Sequence, residues 1–545
     1  MAIDTVSPGS LRAALNYEPQ PLKFGTSGRR GEVIHLTQLE IYLNARAELD
    51  YLLALSPGAG GIRAGQEFFF ACDLRPSSTR FVAEQGGRGE LAQAIERAVL
   101  DAGLTPVNLG SIPTPALTAY ALARGCGSMM ITGSHIPFDR NGYKTNSAKG
   151  ELLKQDELPI DERVAAWRAK LYQQPFAESL FAANGDFKVA AQTVAMASEA
   201  GRRAYLSRYE DFFGGRTLRG LRLVAYQHSA VGRDLLVELL RSLGAEVIPA
   251  GRSETFVPID TEAIDDVTLE SVRRLAEQAT ASHGRVDAVV STDGDSDRPL
   301  LVGIDYAGDG KCLAKFFGGD LVGMVVAEYL GADAVVVPIS CNDAIDRGGL
   351  KALLEPKTRI GSPFVISGME AARARGKQRV CGWEANGGFL TGSDIERDGR
   401  RLSALPTRDA FLPILCVLFE MAASSRRMSE VFGALPHRFS RAALLRRFPR
   451  AASLKIVAAL TGSAGEIPEF FTPDLGFGAV VRVDYTDGVR ICFSNGDVAH
   501  VRPSGNADEL RIYAVADTQA RADEITGLGV AEPHGILRQL ERAFA

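Results

Sequence analysis

The feature that most constrains the fold is a pattern that occurs three times, in which an amphipathic helical stretch ends at a glycine and a short β-branched run follows. Residues 100–111 (LDAGLTPVNLGS) and 241–251 (RSLGAEVIPAG) are the clearest copies. Gly103 and Gly244 can adopt the left-handed backbone that ends a helix, and the next residues begin a strand. In the third copy, residues 332–349, a buried strand run at residues 335–339 meets a polar turn. This order is typical of βαβ units and predicts three related α/β units.

The last part of the chain has a different pattern. Residues 478–505 alternate apolar and polar positions across Asp-Gly and Asn-Gly turns, which indicates an antiparallel meander. A chain of 545 residues is also too long for one hydrophobic core. We therefore predict an α/β protein with three related domains of mixed sheets, followed by a smaller α+β C-terminal domain. The predicted domains are residues 1–184, 185–305, 306–428 and 429–545.

Composition narrows the function classes. The formal net charge of -5 supplies no basic field for nucleic acid or for an anionic membrane surface, although local Arg and Lys side chains can still bind a small anion. The seven cysteines are scattered and form no C-x-x-C pair, which favours reduced thiols over a zinc or redox site. The N-terminal residues lack a secretory pattern, and the apolar residues 411–423 are too few to span a bilayer and predict a buried helix. We predict a cytoplasmic protein with no nucleic-acid or membrane partner.

A serine loop follows the strand-like residues 127–132. In ITGSHIPFDRNGYK, Ser134 lies between Gly133 and His135, and Gly133 would let the backbone bend so that the hydroxyl projects from the end of a strand. Such a hydroxyl can act as a nucleophile or carry a phosphoryl group, while His135 and Lys144 can manage protons and neutralise phosphate charge. Taken alone, the pattern fits an ordinary polar turn equally well.

Three aspartates follow a second buried strand in VDAVVSTDGDSDRP. Asp293, Asp295 and Asp297 occupy alternate positions, so in an extended chain their carboxylates would share one side and converge on one hard cation. Mg²⁺ suits an all-oxygen site and completes its shell with phosphate oxygens or water. The alternative is a solvated acidic turn, against which the preceding strand and the adjacent Arg298 argue.

Two later loops offer groups for a polar ligand. Glu384 and Asn386 lie among glycines in CGWEANGGFL, and a carboxylate with an amide suits sugar hydroxyls, although a plain Gly-rich turn fits as well. In RPSGNADELRIY, a guanidinium, a hydroxyl and successive backbone amides can form a phosphate cradle, and the alternative is an exposed turn before a strand. The predicted phosphate-binding residues are Arg502, Ser504, Gly505, Asn506 and Arg511.

With these four motifs in this order, the sequence resembles the α-D-phosphohexomutase family of phosphomannomutases and phosphoglucomutases over nearly the whole chain. FGTSGRRG, FFFACDLRPSS and GSIPTPALTAYAL resemble further family segments. The resemblance implies three α/β domains and a smaller C-terminal domain around a central cleft. It implies that Ser134 is the phosphoserine and a metal ligand together with the three aspartates, and that Glu384 and Asn386 bind the sugar. The positions that match the family's reaction centre are Arg30, His135, Lys144 and Arg298.

Several positions depart from the commoner family patterns. The serine loop reads TGSHIP where TASHNP is usual, Asn386 stands where serine is frequent, and Gly388 and Ser362 stand where relatives have histidine. The combination of TGSHIP, GWEANGGF and RPSGNA is most similar to a longer bacterial phosphomannomutase subgroup, although Asp508 stands where that pattern more often has proline. The choice of general acid or base stays open between His135 and Lys144.

The resemblance implies a mutase that moves a phosphoryl group between the C1 and C6 oxygens of a hexose through Mg²⁺, a phosphoserine and a hexose 1,6-bisphosphate. Mannose is the expected sugar and glucose the alternative, and we expect a monomer or homodimer whose partner is a small hexose phosphate. A haloacid-dehalogenase-like phosphatase with Asp293 as nucleophile is a remoter alternative, which leaves the Ser134 loop and the Arg502 cradle without a role. A non-catalytic sugar-phosphate sensor would explain the missing histidines, but not the retained aspartates and serine.

Overall fold

The computed structural model describes residues 7–25, 27–189, 194–262, 264–462, 467–504 and 508–545. Four main sheets follow one another along the chain, each packed against helices. Within the described ranges, no helix combines the length and the apolar character that crossing a bilayer requires.

The first unit contains a mixed sheet with helices on both faces. Its strands are β1 (Lys23–Phe24), β2 (Arg29–Glu32), β3 (Glu67–Cys72), β4 (Phe81–Val82), β5 (Arg88–Gly89), β6 (Thr105–Asn108), β7 (Ser128–Ile131), β8 (Arg140–Ser147) and β9 (Gly150–Glu151). Its helices are α1 (Leu11–Ala14), α2 (Gln38–Ala54), α3 (Pro76–Thr79), α4 (Leu91–Asp101), α5 (Thr114–Leu122) and α6 (Lys154–Gln173). The sheet order is β1-β2-β8-β7-β3-β6, with β3 parallel to β6 and β7, and β8 antiparallel to β7.

The central strand of this sheet shows why the unit needs helices on both faces. In β3, Phe68 and Phe70 pack in one hydrophobic core, whereas the alternate residues Phe69 and Ala71 pack in another. Successive side chains of a strand point to opposite faces, so a run of apolar residues is stable only where both faces are covered.

The second unit has the strand order β11-β10-β12-β13-β14. Its elements are α7 (Ala200–Phe213), β10 (Arg222–Tyr226), α8 (Arg233–Ser242), β11 (Glu246–Ala250), α9 (Asp266–His283), β12 (Ala288–Thr292), β13 (Pro299–Tyr306) and β14 (Cys312–Phe316). β10 is parallel to β11 and β12, and β13 returns antiparallel to β12. The link between β12 and β13 is therefore a tight turn, and it contains the three aspartates.

The third unit has the strand order β15-β16-β17-β20. Its strands are β15 (Ala334–Val336), β16 (Val380–Trp383), β17 (Phe389–Thr391), β18 (Ile395–Arg397), β19 (Arg400–Leu402) and β20 (Leu405–Asp409). Its helices are α10 (Gly319–Leu330), α11 (Ser362–Ala374), α12 (Phe411–Ser424) and α13 (Met428–Gly433). The apolar helix α12 is buried as its sequence predicts. β15 is shorter than the predicted run of residues 335–339, because Pro338 lacks the N–H that would continue the ladder.

The fourth unit is an antiparallel sheet of order β21-β25-β24-β23-β22. It comprises β21 (Phe439–Arg446), α14 (Arg450–Gly462), α15 (Ile467–Phe470), β22 (Val480–Asp484), β23 (Val489–Phe493), β24 (Val498–Pro503), β25 (Glu509–Ala516), α16 (Gln519–Val530) and α17 (Ile536–Phe544). The meander predicted from alternation is confirmed by β22, β23 and β24. The predicted fold class, three α/β units with mixed sheets and an antiparallel C-terminal unit, is confirmed.

The glycines of the repeated pattern behave as predicted. Gly103 follows α4 with φ +74° and Gly244 follows α8 with φ +98°, and a strand begins two residues after each. An L side chain is strained at such φ values, so glycine lets the chain turn abruptly from helix to strand.

The hydrophobic cores show how the units are joined. One core contains residues of the first three units, among them Phe69, Leu223 and Phe411, whereas the fourth unit has a core of its own. Polar contacts connect that unit to the third, since Arg438 donates to Asp343 at 2.6 Å and the backbone N–H of Ile360 donates to Asp487 at 2.9 Å. The first three units thus share one hydrophobic core, while the fourth is attached to the third largely through polar groups.

Candidate active site

The serine loop begins where β7 ends. The backbone N–H of Ser134 donates to Thr132 Oγ1 at 2.7 Å, and the Thr132 hydroxyl in turn donates to Asp73 at 2.8 Å. Ser134 is fully buried and has φ +56°, a backbone conformation that is unusual for serine. Strained backbone of this kind is often found at functional sites, where the surrounding contacts hold it in place.

Arg75 holds this loop together, although no sequence motif predicted a role for it. Its guanidinium donates to the carbonyl of Ser134 at 2.9 Å and also to the carbonyls of Ile136, Pro137 and Arg140. Gly133 was expected to bend the chain, but the positive φ belongs to Ser134. A Cβ at Gly133 would lie 2.6 Å from the Arg75 guanidinium carbon, so glycine is required there to make room for Arg75.

We expect the substitution Arg75→Met to lower the free energy of unfolding by about 3–5 kcal/mol, because it leaves Asp73 as an uncompensated buried charge. Arg75 Nε donates to Asp73 at 3.1 Å, and both side chains are fully buried. Urea unfolding followed by circular dichroism would measure the loss. Arg80→Met, at an exposed position in the same segment, is the matched control. An equal effect of the two substitutions would contradict the role of Arg75.

The three aspartates lie in the tight turn between β12 and β13. Carboxylate oxygens of Asp293, Asp295 and Asp297 lie within 4.8 Å of one another, and all three residues are buried. The sequence predicted an extended chain here, but the structure shows a turn. Asp293 Oδ1 accepts from the backbone N–H groups of Asp297 and Arg298, and Ser296 has φ +58°. The carboxylates converge because the turn folds back on Asp293, since the antiparallel return of β13 allows no extended segment.

The structure brings the serine loop and the aspartate turn into direct contact. Ser134 Oγ donates to Asp293 Oδ2 at 2.8 Å, across 159 positions of sequence. Lys144, on β8, donates to Asp295 Oδ2 and to Asp297 Oδ2, both at 2.7 Å. Thr114, the first residue of α5, donates to Asp295 Oδ2 at 2.6 Å. The first two units therefore form one polar site at their junction.

The charges of this site fit a divalent cation. Burial and the neighbouring charges of Asp295 and Asp297 raise the pKa of Asp293 well above its usual range. Burial also acts to raise the pKa of Asp297, but the charges of Arg408, Lys144 and Arg298 outweigh it and lower this pKa. Among the described residues, Asp295 Oδ1 and Asp297 Oδ1 are buried without a hydrogen-bond donor. Such oxygens are suitable ligands for a hard cation.

Basic groups surround the serine hydroxyl. His135 Nδ1 lies 3.4 Å from Ser134 Oγ, and burial together with the charges of Arg298, Arg30 and Arg511 lowers the pKa of His135 well below its usual value. Burial lowers the pKa of Arg30 to about 10, against the attraction of Asp295. Arg298 Nε lies 3.6 Å from Asp297 Oδ1. The site thus combines a neutral imidazole with guanidinium groups that can bind phosphate oxygens.

The predicted sugar-recognition residues lie in the turn between β16 and β17. The backbone N–H of Gly387 donates to the Glu384 carbonyl at 2.9 Å, and Asn386 Oδ1 accepts from the N–H of Gly388 at 3.0 Å. The Thr261 hydroxyl of the second unit donates to the Asn386 carbonyl at 2.8 Å. This contact fixes the turn beside the aspartate-bearing unit.

Arg408, at the end of β20, joins this turn to the aspartates and was missed by the sequence analysis. It donates to Glu384 Oε2 at 2.9 Å and to Asp297 Oδ2 at 2.9 and 3.0 Å, and it is buried. The available signal was the charged Arg-Asp pair directly before the apolar helix α12, since charged residues are seldom buried without partners.

The predicted phosphate-binding residues lie on the fourth unit. Arg502 on β24 is the register partner of Arg511 on β25, so the two guanidinium groups belong to one cross-strand pair. Arg502 donates to Asp487 at 3.0 Å and Arg511 to Glu509 at 3.0 Å. The backbone N–H of Ser504 donates to the Glu509 carbonyl at 2.9 Å. Gly505 and Asn506 lie outside the described residues.

Comparison with known proteins gives a consistent result. Residues 21–170 match "Phosphoglucomutase/phosphomannomutase, alpha/beta/alpha domain I", residues 318–439 match domain III, and residues 446–527 match the C-terminal domain of the same family. A phosphomannomutase of Sinorhizobium fredii is 37% identical over 510 residues, which are 93% of this chain and 98% of that protein. A phosphomannomutase of Salmonella muenchen is 37% identical over 511 residues, 92% of this chain and 94% of that protein.

A solved structure shows the same fold over almost the whole chain. A phosphoglucomutase/phosphomannomutase family protein of Burkholderia thailandensis superimposes with a TM-score of 0.64 at 18% identity, covering 95% of this chain and 97% of the other. The resemblance drawn from the motifs is therefore confirmed. From the sequence identity over most of its length and the matched domains, this chain belongs to the phosphoglucomutase/phosphomannomutase family, the α-D-phosphohexomutases.

Proposed function

We propose that this enzyme interconverts mannose 6-phosphate and mannose 1-phosphate through phosphorylated Ser134 and a mannose 1,6-bisphosphate. The observation that carries the proposal is the 2.8 Å contact of Ser134 Oγ with Asp293, within a cluster of three buried carboxylates. A buried hydroxyl beside a cation site and a neutral imidazole has the groups that reversible phosphoryl transfer requires.

The transfer consists of two displacements at phosphorus. In the first, the free C1 or C6 hydroxyl oxygen of the substrate attacks the phosphoryl group on Ser134, the bond from phosphorus to Ser134 Oγ breaks, and a 1,6-bisphosphate forms. After the bisphosphate has reoriented, Ser134 Oγ attacks the other phosphorus, and the second P–O bond breaks to release the isomeric monophosphate. The enzyme regains its phosphoryl group, so the reaction needs no further reactant.

Asp293, Asp295, Asp297 and Ser134 would hold a divalent cation, for which we propose Mg²⁺. When bound, the cation supplies positive charge that offsets the charge of the phosphoryl oxygens. The chain's own cations act in the same sense, and we assign Lys144, Arg30 and Arg298 to the binding of the moving group. Lys144, which donates to two carboxylates at 2.7 Å, also keeps the aspartate turn in register with the serine loop.

We assign the proton transfer to His135 rather than to Lys144. The lowered pKa of His135 keeps its imidazole neutral, so that it can accept the Ser134 proton when Ser134 Oγ attacks the bisphosphate and return it when Ser134 Oγ leaves. Lys144 already donates hydrogen bonds to Asp295 and Asp297, so its ammonium group is engaged in holding the aspartate turn. His135 Nδ1 lies 3.4 Å from Ser134 Oγ, the oxygen that loses its proton when it attacks and regains one when it leaves.

The remaining predicted residues bind the parts of the substrate that do not react. Glu384 and Asn386 are proposed to bind sugar hydroxyls. The phosphate that is not transferred is proposed to bind Arg502, Ser504, Gly505, Asn506 and Arg511. Because the fourth unit has its own core, it can present this cradle to either phosphate of the bisphosphate.

A comparison of two sugar phosphates tests the proposal. We expect kcat/KM for mannose 1-phosphate to exceed that for glucose 1-phosphate by roughly tenfold. One hydrogen bond to the hydroxyl whose orientation differs between the two sugars contributes a free energy of about this size. The assay contains Mg²⁺ and a trace of the matching hexose 1,6-bisphosphate, and the Ser134→Ala variant controls for contaminating mutases. Preference for glucose would indicate a phosphoglucomutase of the same mechanism. The absence of turnover with both sugars would refute the proposal.

A further inference from the structure

The guanidinium of Arg408 spans two functional carboxylates. Nε and Nη2 both donate to Asp297 Oδ2, at 3.0 and 2.9 Å, while Nη1 donates to Glu384 Oε2 at 2.9 Å. A guanidinium is planar and rigid, so the three hydrogen bonds fix the separation of the two carboxylates as well as their orientation. A flexible ammonium group could satisfy one carboxylate without fixing the other.

The backbone of the third unit is shaped to admit this side chain. In the antiparallel pair of β17 and β20, Phe389 pairs with Asp409 but Thr391 pairs with Leu405, so β20 contains extra residues at this point. Such a bulge changes the direction of the side chains within it, and Arg408 lies in the bulged segment.

Gly388 provides the space that Arg408 occupies. A Cβ at Gly388 would lie 2.4 Å from Arg408 Cδ, 2.6 Å from Cγ and 2.9 Å from Cβ. Gly388 has no positive φ, so its backbone conformation is open to any residue, and the lack of a side chain is needed for space alone. The glycine that replaces a common histidine in the sugar-recognition loop is therefore paired with the arginine that fills the vacated volume.

The two carboxylates depend on Arg408 to different extents. Asp297 Oδ2 also accepts from Lys144 at 2.7 Å, so it remains anchored when Arg408 is removed. Among the described residues, the hydrogen-bonding partner of the Glu384 carboxylate is Arg408. Loss of Arg408 should free the sugar-recognition carboxylate while leaving the cation site largely intact.

We propose that Arg408 is a positioning residue that fixes Glu384 relative to the aspartate turn, and that Gly388 is small in order to admit it. The inference rests on the proposed function, in which Glu384 binds sugar hydroxyls and the turn holds the cation. Arg408 then sets the position of the sugar relative to the phosphoryl group, and with it the choice between hexoses.

The test compares Arg408→Met, Arg408→Lys, Gly388→Ala and the Arg408→Met/Gly388→Ala double variant. We expect Arg408→Met to lower kcat/KM for mannose 1-phosphate about 100-fold, since small misplacements of a bound group have effects of this size. KM should rise, and the preference for mannose over glucose should fall toward unity. The kcat/KM of Arg408→Lys should lie between those of Arg408→Met and the wild type, because lysine retains the positive charge but lacks the planar guanidinium that binds both carboxylates.

A readout that is independent of activity separates positioning from a general loss of structure. The rise in melting temperature on adding Mg²⁺ should be the same in Arg408→Met as in the wild type, because Lys144 still holds Asp297. Gly388→Ala should reproduce the kinetic defect by displacing Arg408. The double variant should then be no worse than Arg408→Met alone, because both changes disrupt one interaction. Arg401→Met, at an exposed ion pair with Asp394 in the same unit, should behave as the wild type.

Several results would overturn the inference. Arg408→Met with wild-type kcat/KM and sugar preference would do so, as would additive defects in the double variant or a lost Mg²⁺ response. If Arg408→Met does not fold, Arg408→Lys and Gly388→Ala decide the matter, and wild-type kinetics in both would again exclude the role. An inactive wild-type protein would instead refute the proposed function, and the two failures are therefore distinguishable.

Discussion

Replacing Ser134 with alanine should reduce mutase activity by roughly 10⁴-fold or more, because losses of this order follow the removal of a nucleophile. The hydroxyl is the only atom group changed, and its removal leaves no group at that position to carry the phosphoryl group. The fold should be retained, since the loop is held by Arg75 through backbone carbonyls, one of them that of Ser134 itself. A coupled assay of mannose 6-phosphate formation measures the effect.

Two further measurements make this result specific. Ser128→Ala changes a buried serine at the start of the same strand, β7, and should retain activity with a small loss of stability. Mass spectrometry of the protein after incubation with hexose 1,6-bisphosphate should locate the phosphoryl group on Ser134. A label on Asp293 and none on Ser134 would favour the phosphatase alternative. Undiminished isomerisation by Ser134→Ala would refute the phosphoserine mechanism.

The Asp293→Asn variant should lose both the cation and most of the activity. The expected fall in activity is roughly 10³-fold, because a cation at a transferring phosphoryl group contributes several kcal/mol. Wild-type protein should gain about 2.7 kcal/mol of stability when free Mg²⁺ is 100 times its Kd, whereas the variant should gain little at the same concentration. Thermal unfolding with and without Mg²⁺ measures this difference.

Without a cation, the same variant should be at least as stable as the wild type. Burial and two neighbouring carboxylates raise the pKa of Asp293, which means that its charge disfavours the folded state near neutral pH. Asparagine removes the charge while its carbonyl oxygen can still accept from the N–H groups of Asp297 and Arg298. The control is Asp287→Asn, which changes the aspartate directly before β12, whereas Asp293 directly follows that strand. This control should retain the gain in stability on adding Mg²⁺. A large loss of stability in EDTA for Asp293→Asn would contradict this account.

The fold followed largely from local sequence patterns. Gly103 and Gly244 mark helix ends because few other residues tolerate their backbone conformation, so the pattern is visible without knowledge of the fold. The alternation of residues 478–505 likewise predicts the meander, because the two faces of that sheet have different environments. The end of β15 was predicted less well, since Pro338 interrupts the ladder inside an apolar run.

The candidate site was predicted as separate motifs and not as a geometry. Ser134 and the three aspartates could be named from their residue types, but the aspartates converge through a turn and not through an extended chain. The Arg-Asp pair before α12 signals a buried charge at Arg408, but the partners that define the roles of Arg408 and Arg75 in the site lie far away in the sequence. Arg408 lies 111 positions from Asp297 and 24 from Glu384.

The sequence by itself determined the order of helices and strands, the family, and the residue types available for phosphoryl transfer. These properties depend on backbone preferences and side-chain chemistry, which are local. Only the tertiary structure decided which groups meet: Ser134 with Asp293, Lys144 with two aspartates, and Arg408 with Glu384. Burial is the physical reason, because charges removed from water must be paired, and the packing of the units determines which partners are within reach.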